Sequence, residues 1–212
     1  GAHDRFLSLE MVWPDNALLR AYVLSPRLGK ISADLLEVTA VRLYHDNVLA
    51  KQAGCGRTPW HFDDHHFPLD TNDVVTAWAP AQPIPIEMGP LTFAYPIDIH
   101  KLVNTVTFEK TGTGYDRGVS DVFLKNNVSI NETPFEMGEV SFHHNLNFHS
   151  APRNRTNRSR VALANTYYRD GARVVNAPTM VSGDWQKFMP NVKPGDVAAS
   201  PLNPICWPVK DK

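Results

Sequence analysis

Apolar residues near the start of the chain recur every three to four positions, the spacing of amphipathic helices. Leu18, Leu19 and Tyr22 mark one helix over Asn16–Tyr22, and Ile31, Leu35 and Leu36 mark another over Gly29–Val38. Beyond them the period shortens. Runs of β-branched and aromatic residues follow at Val38–Leu49, Val74–Trp78, Pro90–Tyr95, Val140–Phe148 and Arg160–Arg169, separated by Pro, Gly, Asn and Asp. Short strands at this spacing, with 17 prolines spread among them, predict an antiparallel sandwich or barrel with helices at one end. Residues 99–137 fit neither period. Thr111-Gly112-Thr113-Gly114 and Asn126-Asn127 lie in a polar stretch expected of a lid or substrate-binding insertion.

A chain of 212 residues is long enough for one domain with a sizeable core, so 1–212 is expected to form a single unit. The formal charge of −1 supplies no basic surface for nucleic acid, so no such partner is expected. No apolar run approaches a bilayer-spanning length, and no signal peptide is visible at the N-terminus, so no membrane partner and a cytoplasmic location are expected. Cys55 and Cys206 are the only cysteines and are read as free thiols. Gly1-Ala2-His3 reads as a cloning scar, which removes His3 from the candidate chemistry. Nothing in the sequence fixes the oligomeric state.

The chemistry concentrates in two clusters. Trp60-His61-Phe62-Asp63 places an imidazole and a carboxylate two residues apart, on one face if the segment is a strand. By itself such a pair is common, and a surface histidine beside a turn-capping Asp63 explains it equally well. A second cluster follows 86 residues after Asp63, at His149, with Arg160 eleven residues further on. Two histidines and one carboxylate on one face of an octahedron leave three positions open. That is the arrangement of non-haem Fe(II) oxygenases, whose open positions take a bidentate 2-oxo acid and O2. Arg160, at the start of a strand, offers a planar fork for the distal carboxylate of 2-oxoglutarate. The competing reading of Arg160 is a solvated charge beside Arg153, Arg155 and Arg158. His143 and His144 lie close enough to His149 to rival it as ligands, and His65 and His66 are further candidates to line a pocket.

The chain resembles the phytanoyl-CoA dioxygenase family of Fe(II)/2-oxoglutarate oxygenases. The matching residues include Lys51, Trp60-His61-Phe62-Asp63, His65, Phe67-Pro68, Thr76-Ala77-Trp78 and Glu87-Met88-Gly89-Pro90-Leu91. They continue with Gly138–Phe142, His149-Ser150, Asn154 and Arg160. The resemblance implies a double-stranded β-helix, a jelly-roll, cupin-like barrel that is mainly β with flanking helices. It ranks His149 above His143 and His144 as the third ligand. It also implies Trp78, Ser150 and Asn47 beside the 2-oxoglutarate, with Fe(II), 2-oxoglutarate and O2 as cofactors. The expected outcome is hydroxylation of a small molecule, with cyclisation, desaturation or epimerisation as variants, in a setting such as antibiotic biosynthesis.

Two positions depart from the family pattern. Phe62 stands where a polar residue is usual between the first two ligands, and Tyr95-Pro96-Ile97-Asp98-Ile99-His100 replaces the usual Pro-Gly-Ser-His. Both bear on substrate choice. No Lys/Arg cluster beyond the stretch ending in Arg160 suits nucleotide phosphates, so a CoA thioester is disfavoured. Tyr115, Asp116, Arg117 and Asn126 are expected to face a hydroxyl-rich or glycosylated substrate. Asp63 fills the position that is Ala or Gly in related halogenases, so oxygen transfer is expected. Two other classes use the same residues differently: a redox-inactive cupin-like metalloenzyme, and a non-catalytic jelly-roll binding module.

Overall fold

The computed structural model describes residues 5–103, 114–178 and 182–208. Gly1-Ala2-His3 and Thr111-Gly112-Thr113 lie outside the described residues, as does part of the expected 99–137 insertion. Local sequence accounts for the two early helices. The Asn16 side chain accepts hydrogen bonds from the Leu18 and Leu19 amides and so starts α1 (Ala17–Val23). Pro26 opens α2 (Pro26–Leu36), where its missing N–H costs nothing, and Glu37 closes it in the left-handed region at φ 56°.

The strands follow as β1 (Phe6–Glu10), β2 (Val41–Lys51), β3 (Thr58–His61), β4 (Val74–Pro80) and β5 (Thr92–Tyr95). After α3 (His100–Val103) and α4 (Gly114–Lys125) come β6 (Ser129–Glu132), β7 (Ser141–His144), β8 (His149–Ala151), β9 (Arg160–Arg169) and β10 (Ile205–Trp207). All pairing is antiparallel. The larger sheet runs β1-β2-β9-β4-β7, with β10 also on β2, and the smaller runs β3-β8-β5-β6. From β2 to β5 and again from β7 to β9, successive strands alternate between the two sheets. That winding is the double-stranded β-helix, here with sheets that do not close on one another.

Alternation along the strands divides the larger sheet into two working faces. Val75, Ala77 and Tyr167 pack against Val23, Leu28, Ala33 and Leu36 of α1 and α2. Their neighbours Thr76, Trp78, Arg160, Ala164 and Thr166 line a cavity on the opposite face. One bulge adjusts this pattern in β2. Leu43 pairs with Tyr167 and His45 pairs with Thr166, so Tyr44 is an extra residue. Val41 and Leu43 therefore face the helices, whereas His45, Asn47 and Leu49 face the cavity.

Two expectations are corrected here. The run 140–148 is not one strand: β7 ends at His144, the Asn147 amide closes a turn onto the His144 carbonyl at 2.9 Å, and β8 begins in the other sheet. The polar stretch 99–137 contains a helix, α4, which buries Tyr115, Val119 and Phe123 against Trp60 and Phe148. Asp116 accepts the Trp60 amide at 2.9 Å and pairs with Arg57 at 3.3 Å. The Asn126 side chain returns to the Val122 carbonyl at 2.8 Å. Tyr115 and Asp116 dock the helix onto β3, Asn126 closes its end, and none of the three lies on the described cavity wall.

Candidate metal centre

β3 and β8 are neighbours, and their register sets His61 directly opposite His149. The two rings stand 4.1 Å apart, centroid to centroid. Asp63 reaches them by a different route from the one expected. The strand stops at His61, and Asp63 sits in the helical region at φ −88°, heading a short turn over Asp64–His66. The Asn145 carbonyl pins this turn by accepting the amides of Asp63 at 2.8 Å and Asp64 at 3.1 Å. The Asp63 carboxylate is thereby brought to 3.8 Å from His61 Nε2 and 3.6 Å from His149 Nε2. One donor atom from each of the three residues falls within 4.8 Å of the others.

Each imidazole is oriented by its own strand. His61 Nδ1 lies 2.8 Å from the Pro59 carbonyl and His149 Nδ1 lies 3.0 Å from the Asn147 carbonyl. A carbonyl only accepts, so both rings carry the proton on Nδ1 and present a bare Nε2 to the centre. Burial pulls both imidazoles down to about 4, which keeps them neutral. Burial alone would raise the Asp63 carboxyl, but His149, His143 and His61 hold it well below the usual carboxylate range. Two neutral nitrogens and one carboxylate form a donor set that fits a divalent iron. His143 is buried beside the group, its Nε2 3.6 Å from the other Asp63 oxygen. His144 instead turns toward the turn at Leu146, whose amide it accepts at 3.2 Å.

The same cavity, about 690 Å³, holds Arg160. Arg160 is 2% exposed, whereas Arg153, Arg155 and Arg158 lie on the surface. Its Nη1 donates to the Gly89 carbonyl at 3.0 Å, its guanidinium lies 5.4 Å from the Trp78 ring centroid, and its Nε is buried without a partner. Burial lowers its pKa to about 10, which leaves it charged at neutral pH. A buried cation with a spare donor is a cradle for an anion. Trp78, Ser150 and Asn47 line the cavity as well, but two are partly engaged: Ser150 Oγ donates to the Thr58 carbonyl at 2.7 Å, and Asn47 Oδ1 accepts from Ser8 Oγ at 2.8 Å.

Residues 8–162 match the phytanoyl-CoA dioxygenase (PhyH) family, which spans most of the chain. The chain belongs to the phytanoyl-CoA dioxygenase family. It is thus an enzyme of the iron- and 2-oxoglutarate-dependent class. No curated protein matches it in sequence. Among solved structures it is similar to SnoK, a non-haem alpha-ketoglutarate-dependent carbocyclase from nogalamycin biosynthesis, with a TM-score of 0.75 at 23% identity over 95% of this chain and 76% of SnoK. It is also similar to the epimerase SnoN in complex with Fe3+, alpha-ketoglutarate and nogalamycin RO, with a TM-score of 0.74 at 20% identity over 95% of this chain and 78% of SnoN. EctD from S. alaskensis, with 2-oxoglutarate and 5-hydroxyectoine, gives 0.66 at 15% identity over 92% of this chain and 68% of EctD. At these identities the three structures establish the shared fold. No helix among the described residues is long and apolar enough to cross a membrane.

Several cavity residues carry no signal in the sequence. Tyr44 and His45 belong to the bulged strand, Glu10 to β1, and Asp184, Lys187 and Phe188 to a C-terminal segment that crosses the far end of the cavity. Only the phase of β2 could have pointed to His45, and the bulge hides it.

Proposed function

We propose that this enzyme binds Fe(II) through His61, Asp63 and His149 and uses 2-oxoglutarate and O2 to oxidise a small natural-product-like molecule. The observation that carries the assignment is the convergence of three donor atoms within 4.8 Å, with both Nε2 atoms freed by backbone carbonyls. The bound iron supplies redox chemistry, coupling oxidative decarboxylation of 2-oxoglutarate to succinate and CO2 with oxidation of the second substrate. Arg160 binds the distal carboxylate of 2-oxoglutarate, and Trp78 walls that end. Ser150 and Asn47 support the co-substrate with their remaining hydrogen-bonding capacity. The buried walls keep water from the reacting end. Asp63 occupies the carboxylate position, which supports oxygen transfer over halide transfer. Hydroxylation is the assigned outcome. Residues 1–212 act as one domain, and the two buried free thiols support a reducing, cytoplasmic setting.

Anaerobic titration with Fe(II), followed by measurement of succinate formed from 2-oxoglutarate, tests this reading. Wild-type protein is expected to bind one iron and form succinate slowly. His149→Ala should lose both properties. Retention of full iron affinity by His149→Ala, with loss in His143→Ala, would overturn the ligand assignment.

A further inference from the structure

We propose that the end of the cavity remote from Arg160 binds an uncharged, hydroxyl-bearing aromatic ring, and that His45 is the residue that selects it. This rests on the oxygenase reading above, which defines the reacting end of the cavity.

Strand register lines up four side chains across the larger sheet. His45 is opposite Thr166, Thr166 is opposite Thr76, and Thr76 is opposite His143. All four line the cavity. The Thr76 and Thr166 hydroxyls bond to each other at 3.0 Å, and His143 Nε2 lies 3.6 Å from Asp63. A polar floor thus leads from the candidate metal centre to β2. Three strand spacings separate His143 from His45, roughly 14 Å, a span that a molecule of two or three rings covers. Arg160 is six residues from Thr166 along β9, roughly 20 Å at the strand rise, so the co-substrate and a second molecule have separate ends.

Two adjacent residues at the far end hold buried polar atoms without partners, the Tyr44 hydroxyl and His45 Nδ1. His45 as a whole is half-buried on the cavity wall, and a neutral imidazole there can give or take a hydrogen bond, which points to a hydrogen-bonding ligand. The flanking surfaces are flat. Phe67 lies 4.9 Å from the Tyr44 ring, and Phe188 lies 4.7 Å from His45 and 5.5 Å from Tyr44. Such walls favour ring faces and edges over flexible chains. Charge points the same way. Burial pulls His45 down to about 4, so its imidazole is neutral, and the cation at this end, Lys187, is paired with Glu10 at 2.5 Å. A phosphate or carboxylate would meet no unpaired cation among these side chains.

The probes are 2-naphthol, 2-methoxynaphthalene, which lacks the donor, and decahydro-2-naphthol, which lacks the aromatic faces. Each is titrated under argon into enzyme loaded with Fe(II) and 2-oxoglutarate. Wild-type enzyme should bind 2-naphthol about tenfold more tightly than either analogue, the worth of one neutral hydrogen bond or one aromatic contact. His45→Phe should erase the preference for the hydroxyl over the ether, and His45→Gln should restore it. General structural damage weakens all three probes together and leaves their ratio unmoved. His45→Leu replaces the Phe variant if that protein does not fold. Failure of wild-type enzyme to bind 2-naphthol, equal binding of 2-naphthol and its ether, tighter binding of the saturated alcohol, or a hydroxyl preference that survives in His45→Phe would each overturn the proposal. Succinate formation without probe is measured in parallel. Its absence in wild-type protein counts against the oxygenase reading, whereas succinate formation without a hydroxyl preference counts against His45 alone.

Discussion

Arg158 and Arg160 differ by two positions and by environment, one solvated and the other buried under Trp78. Removing a charge-assisted contact costs about 1.5 to 3 kcal/mol, so Arg160→Ala is expected to raise KM for 2-oxoglutarate roughly ten- to a hundred-fold. Steady-state assays should find iron affinity nearly intact in this variant and KM unchanged in Arg158→Ala; the reverse pattern would move the anchoring role by two residues. At this scale the sequence was informative. His61, Asp63, His149 and Arg160 stood out because few residue types perform such chemistry. The route taken by Asp63 did not, because a strand and a turn can both bring i and i+2 side chains together. Tyr115 and Asp116 misled for a related reason: both are polar in composition, yet one is buried in the core and the other ties a helix to β3.

Elements were legible where one physical signal dominated. The run 160–169 is rich in β-branched and aromatic residues and is β9, and α1 begins where Asn16 caps it. Helix α4 was hidden by Gly114, Gly118 and its β-branched valines, which weaken helix propensity. Its four-residue spacing of Tyr115, Val119 and Phe123 was nevertheless readable. Packing explains why the helix forms. Phe123 meets Trp60 at 5.1 Å and Phe148 at 5.6 Å, and these two precede the candidate ligands His61 and His149 in the chain. Phe123→Ala should therefore destabilise the protein by about 3 to 5 kcal/mol in urea unfolding. A loss below about 1 kcal/mol would mean that α4 is an ornament on β3.

For the whole molecule, the two-sheet winding was foreseeable from strand spacing and from family resemblance. Which residues bridge the sheets was not. Lys51 is the clearest case: fully buried on β2, it donates from Nζ to the carbonyls of Ala151 at 2.8 Å and Pro152 at 2.6 Å, at the end of β8 in the other sheet. Burial, followed by the nearby Arg160 charge, lowers its pKa to about 7. Between about pH 7 and about pH 10 the unfolded chain therefore holds a proton that the folded chain has released, and stability rises with pH across that window. Lys51→Met should lose this rise. Urea midpoints of the two proteins measured at both ends of the window will show it, and parallel pH profiles would contradict it.

The extra residue at Tyr44 means that β2 is read in two frames. Residues before it address the helices, and residues after it address the cavity. A substitution at His45 or Asn47 edits one letter of the pocket. Flattening the bulge with the chain length kept would instead shift the frame, turning His45, Asn47 and Leu49 toward the helices and presenting Tyr44, Asp46, Val48 and Ala50 in their place. Deleting Tyr44 would do the opposite: Leu43 and His45 would become neighbours opposite Tyr167 and Thr166, and the pocket wall would keep its frame. For this fold, one unpaired residue in a strand decides which side chains form the pocket wall beyond it.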